Sequence, residues 1–463
     1  MKRSILGIDL GTSSVKLLLW NPDGTSEKIR EGYEGEGCEA WVKALKRACQ
    51  RIDKEKLGHV EAVGLTSQVG TYIVECEKDR HIISWSDGAG KEELVQAKRD
   101  FTQDEFLKEI HMPHPDIISY PVPRLLYITK HFENVKRICQ PKDYFCEVLT
   151  GNRVSDPFSW RGLAVLDGRL MYSEKLLAYI GVKAEQLPKL QLPVSCAGKV
   201  SGEEFDFLNG VPVYVGCNDF FAGLLGAGIK NSIFDITGTS EHIGVITQTL
   251  NKDTTMVNGP YFKDHVYYGG TASSGVSMNF CMENFMTEAE IERCLEKDPP
   301  LFLPYLNGER APIWDAKAQG VYLGINGQCG REEMAYAVME GIVFSLYHIY
   351  EHLNIEEKKD AMIVTGGAAQ NQTLNRLKAE LFDLPVKTLK EKDTTVLGAV
   401  MIAAVGTGIF ENLDTAAEEL CEMEAVIEPC GQFREMLLKR FEIYKKLYPS
   451  LQSLFIEKRR ISE

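Results

Sequence analysis

One pattern occurs twice in this chain and restricts its architecture more than any other feature. Residues 5–20 read ILGIDLGTSSVKLLLW, and residues 232–249 read SIFDITGTSEHIGVITQT. Each is an apolar strand, a lone Asp, a turn of Gly, Thr and Ser, and a second apolar strand. Asp9-Leu10-Gly11-Thr12-Ser13 is matched by Asp235-Ile236-Thr237-Gly238-Thr239-Ser240, with one residue more. A chain that begins its pattern again at such a distance predicts two similar domains with a cleft between them. The boundary is expected near 229–231, giving domains 1–229 and 230–463. A length of 463 residues also exceeds what one hydrophobic core ordinarily holds.

Around these hairpins, strands and helices alternate. Residues 39–52 place Trp41, Val42, Leu45, Ala48, Cys49 and Ile52 at helical intervals, and 59–68 return as a strand. Residues 91–210 read as less regular, with a proline-rich loop at 112–126 leading into a helix. Strand 211–219 precedes a Gly-rich helix at 220–230. The second half predicts helices at 331–353, 371–382, about 394–406 and 431–447, and a strand at 361–367. The predicted class is α/β, in layers.

Charge and composition exclude several functions. The net charge is −14, and no dense basic block appears before EKRRISE at the end, so no nucleic-acid partner is expected. Met1-Lys2-Arg3 and the apolar run after it imitate a leader, but Asp9 and Gly11 interrupt the run too early. The apolar stretch 397–410 is too short and Gly-rich to span a bilayer, so no membrane partner is expected. Twelve scattered cysteines without a CxxC suit buried thiols in a reducing cytoplasm. His111 and His114 form an HxxH with no third ligand in view, which reads as loop packing.

The chain lacks the GxxxxGK[ST] phosphate loop, and GEGCEA at 35–40 follows no clear strand and carries repelling glutamates. The Gly-Thr-Ser turns remain as phosphate grips. A tight turn of small residues aims main-chain N–H groups at one point, and hydroxyls add donors. Asp9, at the strand end, suits hydrated Mg²⁺ as a hard oxygen ligand. Lys16 offers a positive charge beside it. Asp219, between an apolar strand and a helix start, is a candidate base, its other reading being a helix cap. TGGAAQN at 365–371 lets a flat ring approach the main chain at its glycines, with Asn371 as a hydrogen-bonding group; its other reading is a plain strand-to-helix turn.

Taken together, these segments resemble the FGGY carbohydrate kinases of the actin/Hsp70/sugar-kinase ATPase superfamily. The resemblance runs through GIDLGTSSVK, GLTSQ, WSDG, QPKDYFCEVLTG, GCNDFFAGLLGAG, DITGTS, FLPYLNGERAPIWDAKAQGVYLGI and TGGAAQN, in that order. It implies two actin-like, ribonuclease H-like domains closing on ATP and a sugar or polyol. It implies Asp219 as general base and Asp9 as the Mg²⁺-linked carboxylate. Thr12, Ser13 and Lys16, with Gly238 and Thr239, would line the phosphates, and Gly366, Gly367 and Asn371 would hold the adenosine. Gln68, Asp87, Asn218 and Trp85 would stand with Asp219 in the sugar pocket, although a lone Trp is more often a core residue.

The departures concern the acceptor. Gln68-Val69-Gly70-Thr71 lacks the His that xylulokinase-like members place there and the Arg that glycerol kinases place there. Trp85-Ser86-Asp87-Gly88-Ala89 lacks the usual Arg of Trp-x-Asp-x-Arg, and Ala318-Gln319-Gly320 replaces Ala-Arg-Gly. The expected activity is ATP-dependent phosphorylation of a ketopentose, with a glycerol- or tetritol-type polyol kinase and a non-catalytic ATP-binding switch as alternatives. A homodimer stays open.

Overall fold

The computed structural model describes residues 4–114, 116–251 and 255–462. The Met1-Lys2-Arg3 start, one proline of the 112–126 stretch and the final Glu463 lie outside the described residues. The chain forms two compact units that a single cut does not separate. The first comprises Met1–Gly228, Gly259–Lys263 and Asp393–Cys421; the second comprises Ile229–Asn258, Asp264–Lys392 and Glu422–Glu463.

In the first unit, β1 (Ser4–Leu10), β2 (Ser14–Trp20), β3 (Ser26–Gly32), β4 (Val60–Ser67), β5 (Cys196–Lys199) and β6 (Pro212–Asn218) form a sheet in the order β5-β6-β4-β1-β2-β3. Every residue of β1 is buried, which is why it reads as a continuous apolar run and not as an alternating one. β1 pairs antiparallel with β2 and parallel with β4, and β4 pairs parallel with β6. The carboxyl ends of β1, β4 and β6 therefore share one edge of the sheet, where ligands bind in open α/β sheets.

Helix Thr394–Gly406 arrives from late in the chain and packs on this sheet. Glycines allow the approach: a Cβ on Gly64 would lie 2.0 Å from the Ala399 carbonyl oxygen, and one on Gly226 would lie 2.0 Å from that of Thr394. The 91–210 stretch is more helical than its composition predicts, with helices Lys91–Asp100, Gln103–Ile110, Pro121–His131, Pro141–Thr150 and Glu174–Ile180. Trp160 accounts for much of this order: it is fully buried and meets Tyr72 and Tyr172 edge-on, a long-range core that local pattern does not reveal.

In the second unit, β7 (Ile233–Thr237), β8 (His242–Thr247), β9 (Asp264–Gly270), β10 (Met362–Gly366), β11 (Val386–Leu389) and β12 (Met423–Ile427) run in the order β9-β8-β7-β10-β11-β12. β7 pairs antiparallel with β8 and parallel with β10, and β10 pairs parallel with β11. This repeats β3-β2-β1-β4-β6 strand for strand, so each unit contains the same actin-like core. Helix Arg331–His352 forms the middle of the second core. The last helix runs Arg434–Ser462, past the 447 expected and through Pro449. Tyr448 and Phe455 keep packing on the core, and that burial outweighs the lost main-chain donor. Among the described residues no helix is long and apolar enough to cross a membrane.

Candidate active site

The β1–β2 hairpin closes through Gly11 N–H, which donates to the Ser14 carbonyl at 3.0 Å, and the Tyr33 hydroxyl donates to the Gly11 carbonyl at 2.9 Å. Thr12 and Ser13 are exposed at its tip, and Asp9 is buried beneath it. Asp9 pairs across the hairpin with Lys16. One carboxylate oxygen of Asp9 accepts a 2.7 Å hydrogen bond from the Thr395 hydroxyl, and the other is buried with no hydrogen-bond partner among the described residues. Burial raises the Asp9 pKa, the Thr395 bond and Lys16 oppose this, and Asp393 adds to it. Lys16 does not project freely towards a phosphate: its Nζ lies 2.6 Å from Asp393 Oδ1.

A carboxylate with an orphaned, buried oxygen beneath a turn of small residues fits a hard cation with oxygen ligands. The residues present thus suit Mg²⁺ at Asp9. The equivalent residue of the second hairpin does not. Asp235 Oδ2 is 2.5 Å from Lys378 Nζ, which also donates to Glu241 at 2.8 Å, and all three side chains are buried. Burial, first, and then the neighbouring Glu241 raise the Asp235 pKa, while Lys378 opposes them. Burial alone would depress Lys378, but the two carboxylates overcome it and raise its pKa. The Lys378 ammonium, in direct contact with both carboxyl groups, thus stands where a cation would be held.

At the end of β6, Asn218 and Asp219 divide the work. Asn218 caps helix Asp219–Gly226, its Oδ1 accepting from Phe221 N–H at 2.9 Å, and its Nδ2 donates to the Phe158 carbonyl at 3.2 Å. The capping duty that sequence alone leaves open for Asp219 thus falls on its neighbour. Asp219 Oδ1 accepts from Phe220 N–H at 2.8 Å, and the residue keeps part of its surface open. Burial of its carboxyl, with the negative field of Asp9 second, pushes its pKa up to about 7, where a carboxyl can exchange protons near neutral pH.

Gln68 follows β4, its N–H donating to the Leu10 carbonyl at 3.0 Å. The Thr12 hydroxyl donates to Gln68 Oε1 at 3.2 Å and accepts from Trp85 Nε1 at 3.2 Å. Trp85 is 47% exposed and is no core residue, contrary to the general preference of lone tryptophans. Asp87 is exposed and accepts from Ala89 N–H at 2.8 Å within its own loop; among the described residues it makes no hydrogen bond to Gln68 or Asp219. The first unit therefore joins Thr12, Gln68 and Trp85 by hydrogen bonds and couples Asp9, in the strand that leads to this turn, to Asp219 by its field, with Asp87 apart.

In the second unit, Gly238 and Thr239 are exposed at the hairpin tip. Gly275 N–H donates to the Thr239 carbonyl at 3.1 Å, placing the start of helix Ser274–Asn284 against the turn. The Thr237 hydroxyl donates to the Thr365 carbonyl at 2.8 Å and accepts from Ala368 N–H at 2.9 Å, tying this turn to Gly366 and Gly367. Gly366 has φ +90°, and a Cβ there would lie 2.0 Å from the Thr237 carbonyl oxygen, so only glycine fits. Asn371 is not a free hydrogen-bonding group. It caps helix Gln372–Phe382 through Leu374 N–H at 2.9 Å and donates to the Thr287 carbonyl at 2.7 Å.

Sequence reading does not reach Thr395, Asp393, Lys378 or Glu241. The run Asp393-Thr394-Thr395 signals a helix start, but nothing local says that this helix begins at Asp9.

Comparison with known proteins identifies the family. Residues 4–226 match the N-terminal domain, and residues 235–407 the C-terminal domain, of the FGGY family of carbohydrate kinases. A xylulose kinase of Bacillus subtilis is 26% identical over 489 residues, covering 97% of each chain. A gluconokinase of the same bacterium is 25% identical over 473 residues, covering 90% of each chain. The solved structure of a ligand-bound xylulose kinase from Lactobacillus acidophilus aligns with a TM-score of 0.86 at 25% identity, covering 98% of this chain and 99% of that one.

Proposed function

The chain belongs to the FGGY family of carbohydrate kinases, ATP-dependent phosphotransferases, and from that premise we propose that its acceptor is a ketopentose and its general base Asp219. The observation that supports this most is the state of Asp219: relieved of capping by Asn218, and with its pKa near neutrality. Its carboxylate takes the proton of a primary hydroxyl. The resulting oxygen attacks the γ-phosphorus of ATP in line, the bond to the bridging oxygen breaks, and ADP leaves. Phosphoryl transfer otherwise asks for positioning and charge neutralisation. In the first unit the exposed turn at Thr12 and Ser13 offers main-chain N–H groups to phosphate oxygens; in the second, the turn at Gly238 and Thr239 offers its own, and Gly366 and Gly367, with the helix that Asn371 caps, carry the adenosine. Mg²⁺, when bound at Asp9, neutralises phosphate charge.

Gln68, Trp85 and Asn218 border the acceptor. The changed segments Gln68-Val69-Gly70-Thr71 and Trp85-Ser86-Asp87-Gly88-Ala89 support a second reading, a polyol acceptor, because a lost polar contact changes discrimination by orders of magnitude. An ADP-release screen over ketopentoses, methylpentuloses, heptuloses and polyols tests both. Stimulation by a ketopentose supports the first; stimulation by polyols alone replaces it with the second.

A further inference from the structure

We propose that Arg124 is a positioning residue for acceptor binding: it fixes the 84–89 loop, and through that loop the contact of Trp85 with Thr12. The inference rests on the reading of this loop as the acceptor side of a kinase site. Arg124 lies on helix Pro121–His131 and is fully buried. Its Nη1 donates to the Ala89 carbonyl at 2.8 Å, and its Nη2 donates to the carbonyls of Ser84 and Asp87 at 2.8 Å each and of Trp85 at 3.4 Å. One side chain thus gathers four carbonyls of a single six-residue loop.

The loop's internal bonds are Asp87 N–H to the Ser84 carbonyl at 3.0 Å, Ala89 N–H to the Asp87 carboxylate at 2.8 Å, Ser86 N–H to the Ser84 hydroxyl at 3.4 Å and a 3.1 Å contact between the Ser84 and Ser86 hydroxyls. None of these bonds draws the carbonyls of Trp85, Asp87 and Ala89 together. One further bond, Trp85 N–H to the Thr71 hydroxyl at 3.1 Å, leads outward. Carbonyls converging on one point repel each other unless a cation stands there. Arg124 supplies it, and burial lowers its pKa only partway, because Tyr72 and Asp87 oppose the shift. A planar guanidinium serves several acceptors spread around its rim, whereas an ammonium radiates from a point. The loop side chain that depends on this is Trp85, whose indole N–H occupies the Thr12 hydroxyl also bonded to Gln68. A buried cation that touches neither substrate thus decides where the acceptor-side aromatic sits.

The test uses the full-length Arg124→Lys enzyme, with Arg124→Met as a second variant and D-xylulose and D-ribulose as acceptor probes. The acceptor KM is expected to rise about tenfold or more while the KM for ATP stays within about twofold. Acrylamide quenching of Trp85 fluorescence, obtained by subtracting the Trp85→Phe background, is expected to increase in the same variants. An unchanged acceptor KM and unchanged quenching overturn the proposal. So does a joint rise of both KM values with a lowered melting temperature, which marks a merely structural arginine. If the wild-type enzyme turns over neither sugar, the ketopentose reading fails, and the quenching comparison still decides the role of Arg124.

Discussion

Lys16 and Asp393 are 377 residues apart in sequence, and their charged groups are 2.6 Å apart in the structure. The residue expected to wait for a phosphate is held by a carboxylate at the start of helix Thr394–Gly406, beside the threonine that binds Asp9. Both side chains are about a third exposed, so solvent screens the pair and its contribution to stability is about 0–1 kcal/mol. Lys16→Met is therefore expected to leave both the melting temperature and the KM for ATP nearly unchanged. A marked rise in the KM for ATP would show that Lys16 leaves Asp393 to meet a phosphate.

Asp219→Asn removes the proton acceptor with little change in shape. Sugar-dependent ADP release is expected to fall by about 10²–10⁴-fold, the usual span for general acid–base groups, with ATP affinity retained. Steady-state turnover and nucleotide titration together check this. Undiminished turnover would remove Asp219 from the base role.

The raised pKa of Asp219 has a signed consequence. The base works ionised, and its ionised fraction grows as pH rises through about 7 and saturates above it. The value kcat/KM should then fall about tenfold per unit on the acid side. A carboxyl at the ordinary 3.8 would show no such limb near neutrality. A cation at Asp9 reduces the second cause of the shift and moves the midpoint downward, but the larger cause, burial, remains. A profile flat from mildly acidic to neutral pH would contradict the assignment.

Lys378 is fully buried against Asp235 and Glu241. Lys378→Met strands the Glu241 charge, and such a loss costs about 3–5 kcal/mol. Replacing all three, with Asp235→Asn and Glu241→Gln, is expected to recover most of the loss. Thermal and denaturant unfolding of the single and triple variants measure it, and a single variant as stable as the wild type would show that the cluster carries no net charge coupling.

The two hairpins, the strand leading to Asp219 and the helix after Gly366 were legible because their signals are local: apolar runs, turn residues, a capping residue. Local signals stopped short where a distant partner decided the outcome. Asn371 caps and bridges to Thr287, Trp85 stays at the surface to bond Thr12, and the last helix continues through Pro449 because Phe455 has a core to reach.

The sequence by itself determined the doubled α/β pattern, the place of each turn and the chemistry at hand, since strand period and turn conformation depend on neighbours within a few residues. Only the tertiary structure decided which charges work and which are neutralised. Asp9 meets Thr395 across 386 residues, Lys378 meets Glu241 across 137, and Arg124 meets Ala89 across 35. The physical reason is that a side chain's charge state depends on which groups the topology packs around it, and residue order alone does not set that packing.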